Sequence, residues 1–442
     1  MLHIIKVYEI TILFKNFRGD TMQNGKIGFI LLSGLMIGPI LGSGIIILPP
    51  AVYETAGNYA IFAWMLMLGL SMLFAYLFGK LSIMIPGDSG VPLAVERAFG
   101  THIKNLSAIF FVLAVCFGPV AVVGTAGHYM QLLTSQTFVQ EKWLTFGLLC
   151  IVYIILTRNI TAVGKFAFVM SSFIVVTLLV GSLHTLFTAD GNISLTEPIT
   201  VYDFGHSLLL LFWALIGWEI IGSYSLEVKS PERTIPKAIA LSFTIIAGVS
   251  LAVALAFQWT AGKAGMKDQS LASLLESLFG SWATPLISTI TIALCISTVL
   301  LVIGAVTRLI YDQAKSSVLP KWLSFKNRNN VPSRALLLMF SIHSGIFALY
   351  YINIVSIQQL VAIANAFFLC NALLGVLACM RLFASPFLKA GAAVLSVCFL
   401  CILLFSSPFI LLGIAVVSVY FLWLQRVENK QERRSMLRRV EE

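Results

Sequence analysis

Two short stretches of an otherwise charge-poor chain hold residue types that can do chemistry at membrane depth. One reads Gly38-Pro39-Ile40-Leu41-Gly42-Ser43-Gly44-Ile45, the other Phe212-Trp213-Ala214-Leu215-Ile216-Gly217-Trp218-Glu219. Each glycine costs a helix interior about 1 kcal/mol against alanine, so both stretches are expected to interrupt a helix. Broken backbone at membrane depth survives only where it is buried in protein or lines a water-filled cavity. A helix restarting near Ser43 has free N–H groups and the positive end of its dipole there, which suits an anion such as a carboxylate. Taken alone, Gly-Ser-Gly reads equally well as close helix packing through small residues. The second stretch weighs against that reading. Glu219 is the only acidic residue between Asp203 and Glu227. A charge at bilayer depth costs at least about 2.5–3.5 kcal/mol, so Glu219 is expected to face the bundle interior or to carry a proton.

Other reactive types are sparse. His128 falls inside a long apolar stretch and reads first as a satisfied interior histidine, second as a proton relay. His184, His206 and His343 are placed near span ends and given no role. The cysteines at 116, 150, 295, 370, 379, 398 and 401 all lie in apolar runs and read as small core residues. Cys398 and Cys401 have no histidine nearby, so no metal site is expected. Gly-x-Ser-x-Gly, His-Glu-x-x-His and Walker A patterns are absent, so the chain is not read as an enzyme.

The elements that must position these residues follow from composition. The chain has 442 residues, 59% hydrophobic and 11% charged, with mean hydropathy +0.94. Soluble domains carry about 25% charged residues, and disorder needs low hydrophobicity, so a membrane protein remains. Charge-poor stretches at 28–50, 59–85, 105–134, 143–157, 166–188, 204–226, 238–260, 283–307, 335–351, 356–380, 390–406 and 408–425 predict twelve transmembrane helices. The last two are parted only by Ser406-Ser407-Pro408, which leaves eleven as the alternative count, and none alternates as a membrane barrel would. With a cytoplasmic N-terminus, every Lys and Arg of the 29 except Lys142, Lys263 and Lys267 falls on the inside. That split predicts both termini in the cytoplasm and assigns the net charge of +10 to topology, not to nucleic acid. No cleavable signal is read at the N-terminus, and Met22 is a candidate start ahead of the polar lead-in to Lys26.

Gly-interrupted segments at matching places in two halves point to a transporter site. With Gly42-Ser43-Gly44 and Phe212–Glu219, three further motifs stand in order: Pro86-Gly87-Asp88-Ser89-Gly90 through Ala98-Phe99-Gly100, Ser230-Pro231-Glu232-Arg233-Thr234-Ile235-Pro236-Lys237-Ala238-Ile239, and Arg308 through Pro320. Together they resemble a bacterial permease of the amino acid–polyamine–organocation (APC) superfamily over nearly the whole chain, with Ser89 in place of a usual glycine. The resemblance implies an all-α membrane protein of LeuT-like fold, with two inverted five-helix repeats plus two C-terminal helices. The segments are then an N-terminal arm (1–27), a first repeat (28–188), a second repeat (204–380), a helix pair (390–425) and a cytoplasmic tail (426–442).

Carried onto these residues, the resemblance implies a substrate site at Ile40, Gly42, Ser43, Gly44, Trp213, Ala214, Ile216 and Gly217. Ser43 and Gly44 would hold the α-carboxylate, and the carbonyls of Ile40, Trp213 and Ile216 the α-ammonium. Trp213 would act as a gate, with Glu219 and His128 in gating or coupling. Ser297 and Thr298 are a candidate sodium site. A lysine used midway along helix five by some sodium-independent relatives is missing, since that region reads Val169-Met170-Ser171-Ser172-Phe173. No cofactor is expected beyond a coupling H+ or Na+. The expected function is secondary amino acid transport by alternating access. A side-chain pocket of Cys116, Phe117, Ile216 and Cys295 favours a neutral hydrophobic substrate, as in the exporters of methionine and branched-chain amino acids that the chain also resembles. The alternative is a cationic amino acid or polyamine exchanger with Glu219 pairing the distal charge. A membrane-embedded enzyme or a channel is the different-class alternative. The partners expected are the substrate and the lipid bilayer of the inner (plasma) membrane, for a monomer or homodimer.

Overall fold

The computed structural model describes residues 27–86, 91–134, 140–158, 163–189, 193, 195, 198–219, 221–222, 225–261, 271, 273–315, 318–329 and 331–441. Met22, Gly87 to Gly90, Lys263 and Lys267 lie outside them. In chain order the α-helices are α1 (Phe29–Leu41), α2 (Gly44–Ala56), α3 (Ala60–Met84), α4 (Val91–Phe99), α5 (Thr101–Thr134), α6 (Glu141–Leu156), α7 (Val163–Thr188) and α8 (Val201–Leu211). They continue with α9 (Pro231–Ala261), α10 (Ser273–Phe279), α11 (Ala283–Lys315), α12 (Ser333–Tyr351), α13 (Ile357–Leu382), α14 (Pro386–Leu403) and α15 (Pro408–Glu441). Among the described residues there is no strand, only an isolated parallel bridge between Ile27 and Val228.

Seven helical stretches among these residues are long and apolar enough to cross a bilayer: Gly44–Met84, Thr101–Leu133, Pro231–Ala261, Gly280–Lys315, Ser333–Tyr351, Ile357–Leu382 and Pro386–Leu403. Four shorter apolar helices accompany them: Phe29–Gly38, Ser172–Thr188, Val201–Leu215 and Pro408–Leu424. Two of the four are short because the chain breaks, α1 at Gly42 and α8 at the turn that begins with Phe212. Helix starts elsewhere follow local chemistry. Ser356 and Gln359 form a reciprocal capping box on α13, Thr200 Oγ1 takes the Asp203 N–H on α8, and Pro386 opens α14.

Contacts between helix ends sort into two sets, as expected for a chain that crosses back and forth. In one set Ile27 N–H donates to Glu227 O (2.8 Å), Arg381 lies over the Phe99 ring, and Thr157 O takes the Asn327 and Asn329 side-chain amides. In the other, Tyr59 donates to Leu195 O, Gln258 to Asn58 O, Trp259 to Ala189 O, Gln358 to Glu54, and Lys142 to Tyr351 O. One continuous apolar core runs between the two ends. The cysteines depart from the expected uniform burial. Cys116, Cys295, Cys370 and Cys379 are buried, Cys150 and Cys398 half-buried, and Cys401 is exposed on the outer face of α14. An apolar run on a peripheral helix faces lipid as readily as protein, so apolar neighbours alone did not place Cys401 in the core.

Candidate functional site

Both glycine stretches are breaks, and they meet. Gly42 sits between α1 and α2 with φ 20°, outside helical backbone, and its N–H closes α1 on Gly38 O at 2.8 Å. Gly217 has φ 125°, a conformation open to glycine alone, and a Cβ there would lie 2.7 Å from Ile40 Cγ1. Ile40, at the broken end of α1, therefore packs directly on the second break, and it is 1% exposed.

Ser43 is the N-cap of α2, but its side chain makes no capping bond. Its Oγ is buried, 1% exposed as a residue, and has no hydrogen-bond partner. The N–H groups of Ile46 and Ile47 return to Ser43 O at 3.2 and 3.1 Å, leaving the amides ahead of them as the open N-terminus of α2. Over that opening lies Trp213. A Cβ on Gly44 would stand 3.1 Å from Trp213 Cδ1, and a Cβ on Gly118 of α5 would stand 3.0 Å from Trp213 Cη2. The indole thus reaches from the first break to α5, with the Phe368 ring edge-on to it at 6.2 Å between centroids.

Side chains of α13, of α3 and of the break itself hold the second break. After α8 the chain makes a 3₁₀ turn, Phe212–Leu215, which buries Ala214. Ile216 N–H bonds Trp213 O at 3.3 Å, so that carbonyl is already partly engaged. Asn365 of α13, fully buried, donates to both Leu209 O and Leu210 O at 2.8 Å, sharing carbonyls that the Phe212 N–H also reaches at the end of α8. Trp218 Nε1 donates to Ser71 Oγ on α3 at 2.8 Å. Glu219 Oε2 accepts the Gly217 N–H at 3.0 Å. Beyond that bond Glu219 borders two cavities of about 10 Å³ each, shared with Phe78 and Val91.

A cavity of about 840 Å³ opens from the opposite side. It runs from Glu54 and Gln358 down to Ile46 and Ile47, within one turn of Gly44. His128 lies in its wall. It is exposed, with Nδ1 3.1 Å from Glu141 Oε2, and is not the interior group expected. The 34 residues of α5 span about 51 Å at 1.5 Å each, longer than the roughly 30 Å hydrocarbon layer, so its last turns project past the apolar zone. Ser297 and Thr298 lie on α11, with their hydroxyls donating to Ala293 O (2.7 Å) and Leu294 O (2.9 Å) of their own helix.

Sequence reasoning missed Gly118, Asn365 and His343. His343 is not near a span end; it is the eleventh of the 19 residues of α12 and is fully buried. A polar side chain centred in an apolar span was the available signal for both Asn365 and His343. Gly118 had a weaker one, a Gly-Pro pair inside a span.

A family model for amino acid permeases matches residues 27–425. The L-methionine/branched-chain amino acid exporter YjeH of Escherichia coli (strain K12) is 24% identical over 360 residues, covering 79% of this chain and 84% of its own. The serine/threonine exchanger SteT of Bacillus subtilis (strain 168) is 28% identical over 247 residues, 52% of this chain and 54% of its own. A cadaverine/lysine antiporter of Escherichia coli (strain K12) is 25% identical over 330 residues, 71% and 72% respectively. With the match running from the start of α1 to the far end of the bundle, the chain belongs to the amino acid permease family and is an amino acid transporter, not an enzyme.

Proposed function

We propose that this protein is a secondary transporter of neutral, hydrophobic amino acids, binding them where α1–α2 and α8 are interrupted. The observation that carries this reading is the unpartnered, buried Ser43 hydroxyl at the open start of α2, roofed by Trp213. A substrate carboxylate there gains the hydroxyl, the free amides and the dipole end together. The ammonium group falls to the carbonyls of Ile40, Trp213 and Ile216. Alternating access then exchanges the wide cavity beside Ile46 for an opening on the Glu219 side.

The neutral reading draws support from what surrounds Trp213. Gly118, Ala364 and Phe368 approach the indole region, and Phe117 stacks on Phe367 at 6.4 Å. Glu219 is the acid available to pair a cationic side chain, and its carboxylate is engaged by Gly217 N–H among Phe74, Phe78 and Leu215. A methionine/branched-chain exporter among the relatives fits this reading, while the cadaverine/lysine antiporter keeps a cationic substrate as the competing one. The basic-residue split supports cytoplasmic termini and twelve spans, and the bacterial permeases among the relatives support a plasma-membrane setting. For coupling, Glu219 is the proton-carrying candidate. Ser297 and Thr298, whose oxygens keep lone pairs while donating to their helix, are the sodium-binding candidates.

Counterflow in proteoliposomes against the twenty amino acids and putrescine, with and without sodium and a pH gradient, tests these assignments. Exchange of L-leucine and L-methionine is expected. Exchange confined to lysine, arginine or putrescine would overturn the neutral reading.

A further inference from the structure

Pro119 lies inside α5 and has no N–H to give. In an unbroken α-helix the amide at this position would bond the carbonyl four residues earlier, which is Val115 O. That carbonyl, buried in the bundle, would be left open, and a buried open carbonyl is costly. It is not left open. His343 Nε2, from α12, lies 2.8 Å from Val115 O. A carbonyl only accepts, so Nε2 carries the hydrogen and Nδ1 is the acceptor. Nδ1 then takes the Tyr153 O–H of α6 at 2.7 Å. The imidazole is fully buried and both its nitrogens are engaged. Three helices are tied at the place where Pro119 opens α5.

The residue between Val115 and Pro119 that matters most to the site is Gly118, 3.0 Å in Cβ terms from Trp213 Cη2. We infer that His343 is a positioning residue for substrate binding: by donating to Val115 O it replaces the hydrogen bond that Pro119 removes, and so fixes the part of α5 that sets Gly118 against the Trp213 indole. Tyr153 orients His343 by occupying Nδ1. This inference rests on the reading of the Trp213 pocket as the substrate site. Its donor–carbonyl link can be tested separately from that reading.

The discriminating substitutions follow from where an amide nitrogen can sit. A glutamine places its NH2 near the position of imidazole Nε2 and still reaches Val115 O. An asparagine reaches only toward Nδ1 and does not. In proteoliposomes of the full chain, His343→Asn is expected to raise KM for L-leucine about tenfold, from the loss of one buried hydrogen bond. Vmax per folded protein should change far less. His343→Gln is expected to stay within about threefold of wild type in KM. The second arm uses Pro119→Ala, which restores a backbone amide at that position. In that background Val115 O has its helical partner, so His343→Asn should lower the melting temperature in detergent less than it does in the wild type. A double-mutant cycle of melting temperatures measures this without any substrate.

A KM for His343→Asn equal to wild type overturns the positioning role. Equal drops in melting temperature from His343→Asn in wild type and in Pro119→Ala overturn the link to Val115. A wild-type protein that transports no amino acid overturns the substrate reading, while the melting cycle still decides whether His343 replaces the missing amide.

Discussion

Trp213 touches glycine at both ends, and this makes Gly118→Ala an informative perturbation. The added methyl would sit 3.0 Å from Trp213 Cη2 and 3.3 Å from Cζ3, so the indole must yield by a few tenths of an ångström. Its Cδ1 edge faces Gly44, where a Cβ would stand at 3.1 Å, so the indole fits its place only because both neighbours are glycine. Overpacking of this kind costs about 1–3 kcal/mol. Against it stands the helix propensity of alanine over glycine, about 1 kcal/mol in the interior of α5. The two effects act on different states. Propensity favours every conformation in which α5 is helical, whereas the clash is met only when the indole lies between the two glycines. Stability of Gly118→Ala should therefore change little, while the binding-competent arrangement loses about 1–3 kcal/mol, a rise in KM of roughly 5- to 150-fold. The assay is L-leucine counterflow together with melting temperature, with Gly248→Ala as control, since a Cβ at Gly248 meets nothing within 4 Å. A KM within error of wild type in Gly118→Ala, or an equal rise in Gly248→Ala, would refute the placement of Trp213 in the substrate site.

Ser43→Ala removes a buried hydroxyl that has no partner, so melting temperature should hold or rise while KM for L-leucine climbs about tenfold, from one lost hydrogen bond to a charged group; equal transport would dismiss the anion-end model. Asn365→Leu strips two 2.8 Å bonds from Leu209 O and Leu210 O, which the Phe212 N–H still reaches, so the loss of two buried hydrogen bonds should destabilise the protein by about 1–3 kcal/mol, read as a fall in melting temperature. Glu219→Gln keeps an oxygen for Gly217 N–H but cannot exchange a proton, so binding should persist while the pH dependence of flux flattens. A pH profile that matches wild type would confine Glu219 to holding the break.

The breaks were legible because helix-interior glycine has a direct energetic meaning in lipid. Gly42 and Gly217 both adopt backbone that a helix excludes. What joins the breaks was not legible. Periodicity cannot say that Ile40 lands on Gly217, because that contact is between segments 177 positions apart in the chain. His128 shows the opposite failure: hydropathy ran on past it, yet a 34-residue helix outlasts the bilayer, so its apolar neighbours did not make it interior. His343 was misplaced for the reverse reason. Its partners, Val115 O and Tyr153, are backbone and side chain of two other helices, and a carbonyl opened by a proline four residues later leaves no mark of its own in a hydropathy profile.

A common pattern connects these positions. Around the two breaks and Pro119, side chains reach the backbone groups concerned: His343 and Asn365 come from other helices to Val115 O and to Leu209 O and Leu210 O, and Glu219 turns back on the Gly217 N–H. In lipid such groups have no water to turn to, so each open carbonyl or amide needs an internal partner. The start of α2 departs from the pattern. There the chain supplies a polar group, Ser43 Oγ, and leaves it buried without a partner beside the open amides of the helix. Satisfying it would have been simple, since a serine N-cap ordinarily turns its oxygen onto the amides of the first turn. A ligand that brings its own negative charge would complete this end, and its arrival would be felt by Trp213, which lies on Gly44, and through Trp213 by Gly118 on α5. On the proposed site, substrate binding would be coupled to the same short piece of α5 that His343 reaches, giving a gate at Trp213 a physical route across the bundle.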